Sequence, residues 1–387
     1  MSSDSIRGRA DNHRTENELG GSVNRSVRES DGNDLSNERG ETGTNSGPLG
    51  EAEPLLRVKD LVKYYPTERK GFLGAQRGAI KAVDGVSFDL HRGETLGLVG
   101  ETGCGKSTIA RTLMRLEEPT SGAAYFKGRD LFTLSKASVQ ALRREIQMVF
   151  QDPFASLNPR MEVGQIVAEP WVVHPGIVPK EEQRGRVSAL LERVGLLATD
   201  ANRYPHEFSG GQRQRIGIAR ALALQPDLII CDEPVSALDV SMQAQVINLL
   251  AELQAELGLS YIFIAHDLAV VRQISNRVAV MHLGRIVEVG GEDEIYARPT
   301  HPYTQALLSA APAPNPVGRK ERKRIVLEGE LPSPVNPPSG CTFRTRCWKA
   351  ESICSQDRPQ LIDRFDHGHP SACHFAELQI LPAAGMA

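Results

Sequence analysis

Gly100-Glu-Thr-Gly-Cys-Gly-Lys-Ser-Thr108 is the stretch whose reading decides the fold. It fits the pattern G-x-x-x-x-G-K-[ST], follows the β-prone run Thr95–Val99 and opens a helical pattern over Lys106–Met114. That context is the one the pattern requires. Its glycines let the backbone of Gly100, Glu101, Thr102, Gly103, Cys104 and Gly105 wrap closely around phosphate with N–H groups turned inward. The helix that starts at Lys106 adds its favourable dipole. Lys106 is expected to reach the β- and γ-phosphates of a nucleotide, Ser107 to offer its hydroxyl to Mg²⁺, and Thr108 to complete the loop.

Outward from this loop, short β-branched runs alternate with helical patterns between Leu55 and Val289. Strand candidates are Val86–Leu90, Thr95–Val99, Ile146–Phe150, Leu228–Cys231, Tyr261–Ala265, Val278–His282 and Arg285–Val289. Several are nearly continuous apolar runs, as strands covered on both faces should be. Helical patterns fall at Gly210–Ala223 and Val240–Glu256. This alternation predicts an α/β domain with a mostly parallel sheet. Residues 153–206 carry few strand signals and read as a helical insertion, with Gln183–Val194 its clearest helix.

A second phosphate-site element is Leu228-Ile-Ile-Cys-Asp232-Glu233. An apolar strand ends in two carboxylates. Asp232 is expected to hold Mg²⁺ and Glu233 to polarise an attacking water. On its own, such a strand end marks only a strand leaving the core. Beside the loop above it gains meaning.

The chain has 387 residues, 40% hydrophobic and 24% charged, with a net charge of −3. That balance suits a globular protein and gives no bulk basicity for nucleic acid. No run of apolar residues is long enough to span a bilayer, and the polar N-terminus lacks an apolar signal core. Transport by this chain would therefore need a membrane path from other chains. Residues 1–52 are rich in Ser, Gly, Asn, Arg and Glu and read as a disordered extension. Helical pieces at Glu292–Ala297 and Tyr303–Ala310 lead to a stiff Pro-rich linker over 311–316. The basic run 319–324 reads as solvated, with contact to a membrane surface as its alternative. Six cysteines in a chain of this length suit a reducing, cytoplasmic setting better than a disulfide scaffold.

The run Phe208-Ser209-Gly210-Gly211-Gln212 narrows the class. Ser-Gly-Gly before a helix makes a second helix N-terminus with free N–H groups, another anion site. At this point the sequence resembles the ATP-binding-cassette (ABC) ATPases, whose signature usually begins with Leu where Phe208 stands. The resemblance implies that this motif acts in trans, on ATP bound to a second subunit in a head-to-tail dimer. Further matches follow in family order. Gln151 matches the glutamine that senses Mg²⁺ and contacts the membrane partner. Ser236, Ala237, Leu238 and Asp239 match the D-loop. His266 matches the switch histidine that holds the γ-phosphate, and Tyr65 the aromatic that stacks on adenine, although Tyr64 is adjacent. The resemblance implies catalytic roles for Glu233, His266 and Gln151, and a Mg²⁺ site at Ser107, Gln151 and Asp232. It also implies the P-loop NTPase cassette fold: a mostly parallel core, an antiparallel β subdomain and a helical subdomain over about 153–206, within residues 53–298.

Past the cassette, His301-Pro-Tyr-Thr-Gln-Ala-Leu-Leu, Glu330-Leu-Pro-Ser-Pro and Pro338-Ser-Gly-Cys341 look like the ATPases of oligopeptide and dipeptide importers. So do Phe150-Gln-Asp-Pro-Phe-Ala-Ser-Leu-Asn-Pro159 and Tyr204-Pro-His-Glu-Phe-Ser209. This implies a peripheral subunit on the cytoplasmic face of the membrane, most like the second of two ATPases. It would pair as a heterodimer, or as a homodimer, beneath two permeases fed by an extracytoplasmic binding protein. Residues 299–387 form a C-terminal extension with Cys341, Cys347, Cys354 and Cys373. Family members with this pattern hold a [4Fe–4S] cluster, which needs four thiolates. Zinc and unrelated buried thiols are the alternatives. The competing readings of the whole chain are an ATPase of a nickel or other small-solute importer, a non-transport ABC ATPase, and a catalytically dead cassette.

Overall fold

The computed structural model describes residues 53–67, 78–152, 154–310 and 325–378. The N-terminal extension, the Pro-rich linker and the basic run lie outside the described residues. The first half of the described chain runs β1 (Leu56–Pro66), β2 (Ala79–Leu90), β3 (Thr95–Val99), α1 (Lys106–Leu113), β4 (Ser121–Phe126), β5 (Arg129–Asp130), α2 (Lys136–Glu145) and β6 (Ile146–Val149). Two helices, α3 (Val163–Val173) and α4 (Lys180–Arg193), then precede α5 (Gly210–Leu222). The rest runs β7 (Leu228–Asp232), α6 (Val240–Leu257), β8 (Ser260–Ala265), α7 (Leu268–Arg272), β9 (Arg277–His282), β10 (Arg285–Gly291), α8 (Glu292–Ala297) and α9 (Pro302–Ala310).

The larger sheet has the order β10-β9-β3-β8-β7-β6 and is parallel except for the β9–β10 pair. Its strands are buried on both faces. In β7, Leu228 and Ile230 enter one core cluster while Ile229 and Cys231 enter the other. In β8, Tyr261 and Phe263 face the same side as Ile229, and Ile262 and Ile264 the opposite side. The period-2 alternation of a strand thus turns one apolar run into two cores, each buried Leu or Ile contributing about 1.5–3 kcal/mol. The smaller sheet, β2-β1-β4-β5, is antiparallel. Strands β1, β4 and β5 are absent from the strand candidates read off the sequence. In β1 the register shifts at three places along its pairing with β2, so its Leu, Val, Lys and Tyr residues keep no clean period.

The C-terminal segment docks on the edge strand β10. Ser371 bridges both Glu288 and Ile362, Val289 N–H donates to Pro370 (3.0 Å), and Ala372 N–H donates to Val287 (2.8 Å). Beneath it, Tyr303 and Phe343 pack ring to ring at 5.3 Å, and His282 stands edge-on to Tyr303 at 4.7 Å. Burial works to raise the carboxyl of Glu288, yet the His369 imidazole at 2.8 Å holds it below the usual carboxylate range. Thr300 adds two donors to the same oxygen.

Two other buried histidines give this docking a pH dependence. Burial lowers His282 to about 3 and His301 to about 4, and Nδ1 of His301 accepts from the Tyr303 N–H. An unfolded histidine titrates near ~6.5. Between that value and the folded values the unfolded chain binds more protons. The contribution is therefore fully present above the unfolded pKa and is lost as pH falls toward the folded ones. The unfolding free energy measured in urea should drop between about pH 6.5 and pH 4.5, at up to ~1.4 kcal/mol per pH unit for each histidine. His301→Asn should flatten that slope; an unchanged slope would remove His301 from the account.

Candidate functional site

Parallel strands place their C-terminal ends side by side, and the chain puts its polar residues there. Val99 lies level with Ala265, Ile264 with Asp232, and Cys231 with Val149. The residues that follow each strand therefore emerge at one edge: Gly100 after β3, Gln151 beyond β6, Glu233 after β7 and His266 after β8. In sequence these residues are separated by tens of positions.

The Gly100–Thr108 loop is held from behind. Gly105 sits at φ 109° and Gly100 at φ 155°, both in the region that disfavours side chains. A Cβ on Gly105 would strike the carbonyl of Ala82, and one on Gly100 the carbonyl of Met281. Gly284 N–H donates to Cys104 O at 2.8 Å. Lys106 is buried, and its ammonium donates to the carbonyls of Gly100 (2.8 Å) and Glu101 (3.3 Å). Burial pushes the Cys104 thiol up, against the pull of Lys106.

Ser107 Oγ donates to Asp232 Oδ1 at 2.8 Å, joining the loop to the end of β7. Burial raises the Asp232 carboxyl; Ser107 opposes this and the neighbouring Glu233 reinforces it. Two clustered carboxylates and a hydroxyl in a half-dry site suit a hard divalent cation, whose charge would reverse that shift. Glu233 takes the left-handed conformation, φ 47°, with its N–H on Ile264 O at 3.0 Å. Such a conformation is costly for a non-glycine residue and clusters at functional sites. Its Oε2 accepts from Gln151 Nε2 at 3.0 Å and stands 3.5 Å from His266 Nδ1. A single carboxylate oxygen is thus shared by the residues from three strand ends.

Tyr65 and Tyr64 go separate ways. The Tyr65 hydroxyl binds Glu117 beyond α1, and Lys63 lies 4.9 Å from its ring. The Tyr64 hydroxyl binds Asp84, which also pairs with Arg285 at 2.6 Å. Tyr65 is the one beside the phosphate-loop helix.

Ser209 caps α5 with a reciprocal capping box: it accepts from Gln212 N–H at 3.3 Å, and its own N–H donates to Gln212 Oε1 at 3.0 Å. Ser209 is exposed, whereas Phe208 is buried in the core. Phe208 is therefore an apolar anchor, which explains why its departure from Leu leaves the polar tip intact. Leu238 packs against Gly210, and Asp239 caps α6 through the Met242 N–H at 2.9 Å. The backbone hydrogen bond from Met242 holds the Asp239 carboxyl below its ordinary value. Ala237 lies in the same turn, whose Ser236 donates to Glu233 O at 3.0 Å.

Several contacts had no local signal in the sequence. Phe154 stacks on the Arg213 guanidinium at 3.8 Å, and Arg220 donates to Ser156 O at 2.7 Å, tying the segment after Gln151 to α5. Arg346 binds Glu101 of the phosphate loop at 2.8 Å.

The C-terminal thiols are brought together. Burial pushes the Cys341, Cys347 and Cys373 thiols up, Cys373 to about 11, and the neighbouring thiols of the set add to each shift. Cys341 N–H donates to Cys354 O at 2.8 Å. Yet among the described residues no three His, Cys, Asp or Glu side chains stand as a metal-holding group. Cys341 and Cys347 also pack against the main core.

Residues 83–236 match the family described as ABC transporter, and residues 287–354 match "Oligopeptide/dipeptide transporter, C-terminal region". The chain is 56% identical to the oligopeptide transport ATP-binding protein AppF of Bacillus subtilis, covering 83% of this chain and 97% of that one. Against the dipeptide transport ATP-binding protein DppF of Escherichia coli the identity is 54%, over 80% of this chain and 92% of the relative. Among solved structures, the dimeric post-hydrolysis state of the ATP-binding cassette MJ0796 bound to ADP and Pi aligns with a TM-score of 0.55 at 29% identity, covering 61% of this chain and 98% of that one.

Proposed function

We propose, since this chain belongs to the ABC transporter family as an ATP-binding subunit of the oligopeptide and dipeptide import type, that Glu233 is the residue at which ATP hydrolysis is timed to transport. The chain binds and hydrolyses ATP with Mg²⁺, as ABC ATPases do. The observation that carries the finer reading is the Glu233 carboxylate shared by Gln151 and His266.

In this reading the triphosphate lies on Gly100–Thr108, with Lys106 on the β- and γ-phosphates and the adenine on Tyr65. Ser107, Gln151 and Asp232 hold Mg²⁺, which neutralises charge on the phosphates. Glu233 orients the attacking water, and His266 holds the γ-phosphate. The Ser209–Gln212 tip, with Ser209 exposed at its end, reaches the ATP of a second ATPase subunit, and closure excludes water from the site. Residues 53–298 form the cassette and 299–387 the C-terminal region. The permeases dock at the cleft lined by Leu116, Phe150, Pro170, Val173 and His174, where several apolar side chains are exposed. Motion there passes through Phe154 and Arg213 to α5 and so to the Ser209 tip. No helix among the described residues is long and apolar enough to cross a membrane. Like the import ATPases it belongs with, the subunit works peripherally on the cytoplasmic face, with an extracytoplasmic binding protein as an indirect partner. The four C-terminal thiols enter no step; iron and sulfide analysis of anaerobically purified protein decides whether they take a cluster.

The test is reconstitution of the chain with its permeases and sister ATPase in vesicles. ATP turnover should rise when peptide-loaded binding protein is added to the outer side. A rise with nickel-loaded but not peptide-loaded protein would replace peptide by metal ion. No response to either would remove the transport role.

A further inference from the structure

A carboxylate in a loop built to bind triphosphate is an electrostatic liability. Glu101 is the second residue of that loop, and two residues of the C-terminal region hold it: Arg346 its carboxylate and Tyr303 its backbone N–H. Arg346 Nη1 donates to both of its oxygens, at 2.8 and 3.1 Å. The Glu101 N–H donates to the Tyr303 hydroxyl at 3.0 Å. The pair spans 245 positions of sequence and is well shielded, with Arg346 11% and Glu101 26% exposed. Tyr303 is fully buried, so the anchor is rigid. Meanwhile the Glu101 carbonyl accepts from Lys106, the residue that meets the phosphates in the reading above. One residue thus joins the phosphate lysine on one side to the C-terminal region on the other.

We propose that Arg346 is a positioning residue for ATP binding: it neutralises Glu101 and holds its carboxylate off the triphosphate, so that the C-terminal region sets the nucleotide affinity of the cassette. The physical reason is Coulombic. A charge released within a few ångströms of the phosphates, in a site only partly open to water, repels them far more than a surface charge would. Arg346 is itself anchored through its N–H to Phe343 O at 3.0 Å, and Phe343 is buried against Tyr303. The guanidinium is therefore pre-placed rather than recruited. This inference rests on the reading that Gly100–Thr108 holds the triphosphate.

The experiment measures KM for ATP and kcat in the assembled transporter. Arg346→Met should raise KM about tenfold with kcat within about twofold, the scale of one charge–charge contact in a partly shielded site. Arg346→Lys keeps the charge and should recover most of the loss. Adding Glu101→Gln to Arg346→Met should return KM to within about twofold of the parent, because the bare carboxylate is then gone. A purely structural role for Arg346 would not be rescued from the loop side. Lys349→Met, which breaks the Lys349–Glu377 pair nearby, should leave KM unchanged. Glu101→Asp leaves the C-terminal region intact while drawing the carboxylate back toward the loop. It should raise KM as well, which keeps the test usable if Arg346→Met does not fold. Unchanged KM in Arg346→Met, or in Glu101→Asp, overturns the proposal, as does failure of Glu101→Gln to rescue. If Lys106→Ala also leaves KM unchanged, the phosphate-site reading itself falls; if only Lys106→Ala raises it, this inference alone falls.

Discussion

Replacing Glu233 by Gln is expected to lower ATP turnover by about 10²–10⁴-fold, the usual worth of a positioned general base. Binding should survive. The amide has the size of the carboxylate, and the left-handed backbone at Glu233 is fixed by its own N–H on Ile264 O rather than by the side chain. What disappears is the negative charge on the oxygen that Gln151 and His266 share. Without it, nothing at the end of β7 accepts the proton of the attacking water, since Asp232 is already engaged by Ser107. The variant should therefore accumulate, under Mg-ATP, as a closed pair with its sister ATPase. Phosphate release and size-exclusion profiles read the two halves of this expectation. Parent-like turnover in the variant would strip Glu233 of its role.

The second large effect is expected for Lys106→Ala. The ammonium is buried and folded into the loop by the carbonyls of Gly100 and Glu101. A triphosphate offers a better acceptor than either carbonyl, because a hydrogen bond between charged groups is worth about twice a neutral one. Removing the lysine deletes that contact, at a loss of about 1.5–3 kcal/mol or roughly 10–100-fold in ATP affinity. It leaves no clash, and the loop glycines stay in place, so folding should be near normal. Titration with a fluorescent ATP analogue measures the loss. Unchanged affinity would move the nucleotide away from Gly100–Thr108.

Local chemistry made much of this legible in advance. The runs Thr95–Val99, Leu228–Asp232 and Ser260–Ala265 are strands because apolar residues at every position satisfy both faces of a covered sheet. Gly100 and Gly105 were readable because the positions need positive φ and close backbone approach. Ser209 and Gln212 were readable because a capping box is local by construction. Strand β1 was less legible: its register shifts against β2 break the alternation on which such a reading depends. Tyr64 and Tyr65 part only through their partners, Asp84 for one and Glu117 for the other, which lie far away in sequence.

By itself, then, the sequence determined the phosphate loop, the carboxylate-ended strand, the capped Ser-Gly-Gly helix and the order in which they occur, because each is specified within a few neighbouring residues. Only the tertiary structure decided that Gln151, Glu233 and His266 meet on one oxygen and that Arg346 grips Glu101. Those contacts join residues tens to hundreds of positions apart. Their geometry is set by strand order and by the docking of the C-terminal segment on β10, and no local propensity encodes either.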